Sequence, residues 1–208
     1  MNMRVCAPNS AKRSPSDRRG RFIVVEGVDG AGKTSVLRAL AARPEGRDAV
    51  FSAGFTRRSR WDRFIHAHPA SFFYFVDLLW KTFRTVRPAL RQGRTVFQDR
   101  YVQTVDTYFP DAGFRHNRCL RWLLGPLLLK PDLFVLCVVD PAENVRRLRA
   151  QSPSPDGYHE TLVADPERLI ARQRAYEQVY AGLACPKACL ETTGRTVAES
   201  LILFLSLL

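Results

Sequence analysis

Gly27-Val28-Asp29-Gly30-Ala31-Gly32-Lys33-Thr34 sets glycines, a lysine and a hydroxyl at the spacing of a phosphate-binding loop. Gly27, Gly30 and Gly32 let the backbone turn tightly and bring its N–H groups close to phosphate oxygens, and the positive end of a following helix adds to that field. Lys33 is predicted to reach the β- and γ-phosphates, and the Thr34 hydroxyl is placed to ligate Mg²⁺. The whole loop from Gly27 through Ser35 is therefore a candidate triphosphate site. A glycine turn that binds nothing is the plain alternative. An apolar run before the loop, a helix-forming segment after it and an intact Gly32-Lys33-Thr34 argue against that alternative.

Asp99-Arg100-Tyr101 carries the second chemistry. A carboxylate at a strand end beside a phosphate loop can complete a Mg²⁺-water network. Asp99 as a mere helix cap is the alternative, and the neighbouring Arg100 favours a site. Thr56-Arg57-Arg58-Ser59-Arg60 follows another predicted strand. Ligands of open parallel sheets sit beyond such strand ends, so this cluster reads as an anion-binding loop rather than a solvated arginine run. His66 and His68 have no acidic or cysteine partner nearby in sequence and are expected to be solvated. The five cysteines, at 6, 119, 137, 185 and 189, are odd in number and scattered, which suits reduced thiols better than zinc or a disulfide framework.

These residues need a scaffold, and the pattern supplies one. Phe22–Val25, Ala49–Phe55, Arg94–Asp99 and Pro131–Val139 read as strands, with a short fifth near Ala188–Glu191. Between them lie helical stretches. One is Ser35–Ala42. Another is Ala70–Leu90, long and mostly buried by its density of Phe72, Phe73, Phe75, Val76, Leu79, Trp80 and Phe83. His116–Leu129 follows, with Leu120, Leu123, Leu124 and Leu127 on its apolar side. Asp140-Pro141 opens a helix carrying Arg146, Arg147 and Arg149, and Asp165-Pro166 opens the next. The last helix sets Val197, Leu201, Phe204 and Leu208 along one face. Gln151–Gly157, with two prolines and a glycine, is predicted to be a mobile loop. The alternation predicts an α/β fold with a five-stranded parallel sheet flanked by helices. A single domain is expected over 21–208, after a basic, flexible leader at 1–20 for which an organelle-targeting peptide is the alternative.

Composition narrows the partners. The 208 residues carry a net charge of +12, with only five lysines among 32 basic side chains. Such a surface suits nucleic acid or small phosphorylated substrates. With a triphosphate site already present the second suffices, so no specific nucleic acid is expected. No apolar run approaches the roughly 20 residues needed to cross a bilayer, and a cytoplasmic location is expected.

Several of these stretches together resemble the thymidylate kinase family of nucleoside monophosphate kinases. The carriers are FIVVEGVDGAGKT, Asp99-Arg100-Tyr101 with Tyr108 seven residues on, PDLFVLCVVDP (Pro131–Pro141) and RQRAYEQVY (Arg172–Tyr180). The resemblance implies a P-loop NTPase fold with a closing lid loop, ATP and Mg²⁺, a nucleoside monophosphate acceptor and a homodimer. Carried over by residue, Lys33 and Thr34 would hold ATP and Mg²⁺, with Asp99 supporting the metal. Arg57 and Arg100 would grip the acceptor's phosphate, and Asp29 would meet its sugar hydroxyl. Tyr101 and Tyr108 would line the sugar side, and Tyr74 would stack on the base.

The chain also departs from the family. Leu78 follows Asp77 where an arginine usually reads the thymine edge, Phe109 replaces a glutamine, and Thr56-Arg57-Arg58-Ser59 replaces Thr-Arg-Glu-Pro. These changes predict an altered base pocket. Residues 150–160 hold no arginine or lysine and Gly30 excludes a loop arginine, so Arg146, Arg147 or Arg149 must supply transition-state charge. Of these, Arg149 is expected to be catalytic and Arg147 to bind ATP. A monophosphate is already anionic and needs no general base, whereas a sugar hydroxyl would want a nearby carboxylate. Ser52–Ser59 contains no acid, although Asp29 could substitute. Nucleoside monophosphate phosphorylation is therefore predicted. The alternatives are a kinase for a nucleoside hydroxyl or other small metabolite, and a nucleotide-binding regulator without turnover.

Overall fold

The computed structural model describes residues 19–54, 70–108, 119, 121–152 and 158–208. The leader through Arg18, Arg57 with its loop, His66, His68 and the centre of the predicted lid lie outside the described residues. Strands β1 (Phe22–Glu26), β2 (Val50–Ala53), β3 (Val96–Asp99), β4 (Leu133–Val138) and β5 (Lys187–Glu191) form one all-parallel sheet in the order β2-β3-β1-β4-β5. The expected five-stranded α/β architecture is thus observed. Every residue of β1 and β4 is buried, as their unbroken apolar runs require of strands covered on both faces. The edge strands β2 and β5 mix exposed and buried positions.

Register decides where the chemistry sits. Asp99 lies opposite both Val25 and Ala53, and Glu26 lies opposite Leu136. The ends of β1, β2 and β3 therefore open on one rim of the sheet, beyond which ligands of such folds bind.

The helices are α1 (Lys33–Ala41), α2 (Ala70–Lys81), α3 (Arg87–Arg91), α4 (Gln103–Tyr108), α5 (Pro141–Ala150), α6 (Tyr158–Ala164), α7 (Pro166–Ala181) and α8 (Val197–Ser206). Asp140 caps α5 by accepting from the Ala142 and Glu143 N–H groups. Thr196 and Glu199 close a capping box on α8. Leu148, Leu162 and Leu169 form a small second core that joins α5, α6 and α7. Among the described residues, no helix is long and apolar enough to cross a membrane.

Three expectations are corrected. The Ala70–Leu90 helix carries a π turn at Thr82–Val86, with the Arg87 N–H reaching back to Thr82 O. Pro88 has no N–H to offer Arg84, and the ladder stretches by one residue to pass it. Nor is that helix mostly buried: Phe72, Val76, Trp80 and Phe83 are exposed, Trp80 by 65%. Guanidinium groups of Arg84 and Arg87 lie 5.7 and 4.4 Å from the Trp80 and Phe83 ring centres. The predicted His116–Leu129 helix ends, among the described residues, at Leu124. Gly125-Pro126 then makes a 3-10 turn, which leaves Leu123 and Leu127 exposed. Arg19 and Gly20, just before β1, are tied to the rest of the fold. Gly20 N donates to Leu90 O at 2.8 Å, and Arg19 pairs with Asp132.

Candidate active site

The loop between β1 and α1 is held from below by contacts only glycine allows. Gly27 has φ 139°, and a Cβ there would lie 2.3 Å from the Cys137 carbonyl oxygen on β4. Gly30 has φ 79°, and its Cβ would lie 2.2 Å from Asn144 Oδ1 on α5. Because the strand carbonyl under Gly27 cannot yield, Gly27→Ala is expected to lose about 2–5 kcal/mol. That sums a left-handed-region cost of about 1–2 and overpacking of about 1–3. Chemical denaturation midpoints check it.

Lys33 opens α1 and is only 5% exposed. Its ammonium donates to Val28 O at 2.6 Å, across the mouth of the loop. Burial, and secondarily the nearby Arg100 charge, hold its pKa below the usual lysine value. Thr34 Oγ1 donates to Asp99 Oδ2 at 2.6 Å. The other Asp99 oxygen is buried without a protein partner. Arg100 has φ 67°, a left-handed conformation that non-glycine residues seldom adopt. That turn sends its guanidinium to the Asp29 carboxylate, with which it pairs.

The opposite wall comes from α5 and the end of β5. Arg147 donates to Glu143 Oε1 (2.9 Å), Thr192 O (2.6 Å) and Thr192 Oγ1 (3.1 Å), and approaches Gly30 O at 3.4 Å. Thr192 hydrogen-bonds Val138 O, so β4, β5 and α5 meet beside the loop. Glu143 is held down to about 2 by hydrogen bonds from Arg146 and Arg147. Together these groups line a cavity of about 480 Å³, within the size range of small-molecule sites. Lys33, Arg100, Arg146, Arg147 and Arg195 face it against Asp29 and Glu143, an excess of positive charge suited to a polyphosphate.

Of the predicted residues, Asp29, Gly30, Gly32, Lys33, Thr34, Ser35, Arg100 and Arg147 line this one cavity, and Asp99 accepts from the Thr34 hydroxyl. Val28 and Ala31 are buried within the loop. Arg149 is exposed and outside the cavity lining, whereas Arg146 and Arg147, three and four residues after Glu143, line it. Tyr74 and Tyr101 are core residues in this structure. Tyr74 Oη donates to Tyr101 O at 3.0 Å, while Tyr101 packs edge-on to Phe22 and donates to Leu129 O. Neither ring lines the cavity. Tyr108 ends α4, and Arg57 lies outside the described residues.

The sequence reading passed over Glu26. Its carboxylate is fully buried and accepts from Tyr101 N at 2.6 Å, Thr104 N at 3.2 Å and the Tyr176 hydroxyl at 3.0 Å. Burial raises its pKa, while the Arg100 charge and the Tyr101 N–H oppose the rise. The available signal was an acid ending an otherwise apolar strand.

Comparison with known proteins points one way. A family model for thymidylate kinase matches residues 62–183. That segment begins after the phosphate loop, so the loop is independent support. A Staphylothermus marinus protein named "Probable thymidylate kinase" is 30% identical over 151 residues, spanning 64% of this chain and 70% of that one. The thymidylate kinase of Xanthomonas campestris pv. campestris is 31% identical over 150 residues, spanning 67% and 65%. The solved thymidylate kinase of Candida albicans superposes with a TM-score of 0.69 over 90% of both chains at 18% identity, a likeness of fold.

Proposed function

The chain belongs to the thymidylate kinase family of nucleoside monophosphate kinases, and we propose the following division of labour for its phosphoryl transfer from ATP to a nucleoside monophosphate. The loop amides from Gly27 to Ser35 and the Lys33 ammonium receive the ATP phosphates. Arg147 and Arg146 flank them from α5, close enough to neutralise charge on the moving phosphoryl group. Arg100, together with Arg57, binds the acceptor's phosphate, and Asp29 orients Arg100 and meets the acceptor. Thr34 and Asp99 would hold Mg²⁺ through its water shell. The buried, unpartnered Asp99 oxygen beside the Thr34 hydroxyl fits such an ion. When bound, the metal neutralises charge on the β- and γ-phosphate oxygens.

The observation that carries this reading is Arg100, turned back by its left-handed backbone onto the rim of the phosphate loop. It supports a second anion site beside the first. Asp29, engaged by that guanidinium, is poorly set to deprotonate a sugar hydroxyl, and this favours an acceptor that is already anionic.

The acceptor's base is read less strictly than in a thymine-pairing pocket. Leu78, at the place of the base-reading arginine, is 1% exposed core. The nearby Lys81 gives its N–H groups to Asp77 Oδ2, Ala53 O and Gly54 O. A pocket without dedicated polar partners discriminates by about 10–200-fold, whereas a hydrogen-bonding one reaches about 10⁴–10⁵. Coupled ADP-release assays over a panel of nucleoside monophosphates and nucleosides test both points. The expected outcome is turnover with dTMP and other pyrimidine monophosphates, within about 200-fold of one another in kcat/KM. Turnover with nucleosides alone would make this a hydroxyl kinase, and ATP binding without any turnover would make it a regulator.

We further propose a homodimer through the exposed face of α2. Phe72, Val76 and Trp80 recur there at four-residue spacing, and Phe83 follows in the π turn. Sedimentation of Trp80→Glu is expected to show monomer where the native chain sediments as a dimer.

A further inference from the structure

We propose that Glu26 is the positioning residue for Arg100, an inference that rests on Arg100 gripping the acceptor's phosphate. β1 and β3 run in parallel register up to the pair Val25–Asp99. Arg100 N still donates to Val25 O at 3.0 Å, as a continuing ladder would. Its positive φ then turns the chain off the sheet, and the next N–H, that of Tyr101, has no strand carbonyl to meet. Glu26 Oε1 takes it at 2.6 Å. The same oxygen accepts from Thr104 N at 3.2 Å, and both carboxylate oxygens lie 3.0 Å from Thr104 Oγ1. Tyr176 on α7 donates to Oε2 at 3.0 Å.

A buried carboxylate is retained only where donors surround it, and here every donor belongs to the segment just after Arg100 or to the helix packed over it. The left-handed turn is an unfavourable conformation for arginine, so something outside the residue must hold it. Glu26 grips Tyr101 and Thr104 on the far side of the turn, while Gln98 Nε2 donates to Arg100 O at 2.9 Å from the β3 side, so the turn at Arg100 is held between them. Losing one acceptor would let the turn relax toward extended backbone and swing the guanidinium away from Asp29. Glu26 itself does not line the cavity, so its effect passes through Arg100.

A double-mutant cycle between Glu26→Gln and Arg100→Ala, assayed with ATP and dTMP, tests this. Glu26→Gln is expected to lower kcat/KM for dTMP by about 10–10²-fold, the scale of an ångström of misplacement, with the KM for ATP changed less than about twofold. In the Arg100→Ala background the same substitution should change nothing beyond about twofold. Losses that multiply in the double mutant, or an equal rise in both KM values, would overturn the inference. Tyr176→Phe removes one donor and keeps the ring. If Glu26→Gln does not fold, it carries the same cycle, with an expected loss of about 3–10-fold that also vanishes without Arg100. An Arg100→Ala enzyme with unchanged dTMP kinetics would overturn the assignment of Arg100, and this inference with it.

Discussion

Lys33→Ala is expected to lower kcat by about 10²–10³-fold or more, because on the proposed reading it removes a preorganised cation that meets the ATP phosphates. The ammonium is almost wholly buried and held by the Val28 carbonyl, so it is in place before substrate arrives and need not reorganise. Its removal also relieves the desolvation of a buried charge, so the folded chain should lose little stability. The two effects separate in thermal melts. At 100 times its Kd, Mg-ATP stabilises the native enzyme by about 2.7 kcal/mol. The variant should melt near the native temperature without ligand and gain almost nothing when Mg-ATP is added. A variant that kept both its turnover and its ligand-induced shift would remove the phosphate loop from the mechanism.

Arg100→Ala is expected to lower kcat/KM for the acceptor by about 10²–10³-fold while the KM for ATP moves little. In the proposed division, Lys33 and the loop amides remain for the donor, whereas the acceptor's phosphate would lose a charged fork. The backbone supplies a control that most such experiments lack. Arg100 sits at φ 67°, where alanine is strained and glycine is at ease. Arg100→Gly should therefore match Arg100→Ala in kinetics and exceed it in stability by about 1–2 kcal/mol. Equal kinetics with that difference in melting would assign the loss to the missing guanidinium. A large rescue of activity by glycine would assign it to the turn.

The parts of this site that could be read from sequence are those fixed by local geometry. Three glycines, a lysine and a threonine at set spacing, after a run such as Phe22–Val25, leave few backbone paths open. β1 and β4 announced themselves because strands covered on both faces are apolar along most of their length. Tyr74 and Tyr101 are harder to read for the opposite reason. An aromatic ring suits a core and a stacking platform equally, and only the three-dimensional structure shows both rings buried, with the Tyr74 hydroxyl on the Tyr101 carbonyl. Arg149 differs from Arg147 by position alone: two helix residues turn it by about 200°, and Glu143 selects its i+3 and i+4 neighbours, Arg146 and Arg147. The π turn needs the conflict between Pro88 and a continuing helix to be weighed against burial of Val86 and Leu90, a balance no window of sequence reports. Glu26 was overlooked because its partners lie 75 to 150 residues away.

That separation bears on how the chain reaches its native state. β1 is translated among the first elements, yet its two neighbours in the sheet are β3 and β4, so it has no ladder partner until Val96 and then Leu133 have emerged. Long-range parallel pairing of this kind is slow, and an apolar strand waiting for it is prone to aggregate. Nucleotide can reward only the completed assembly, since the loop that would hold it rests on Cys137 and Thr192 from the second half of the molecule. Refolding yield, rather than refolding rate of the earliest phase, is where added Mg-ATP should make itself felt.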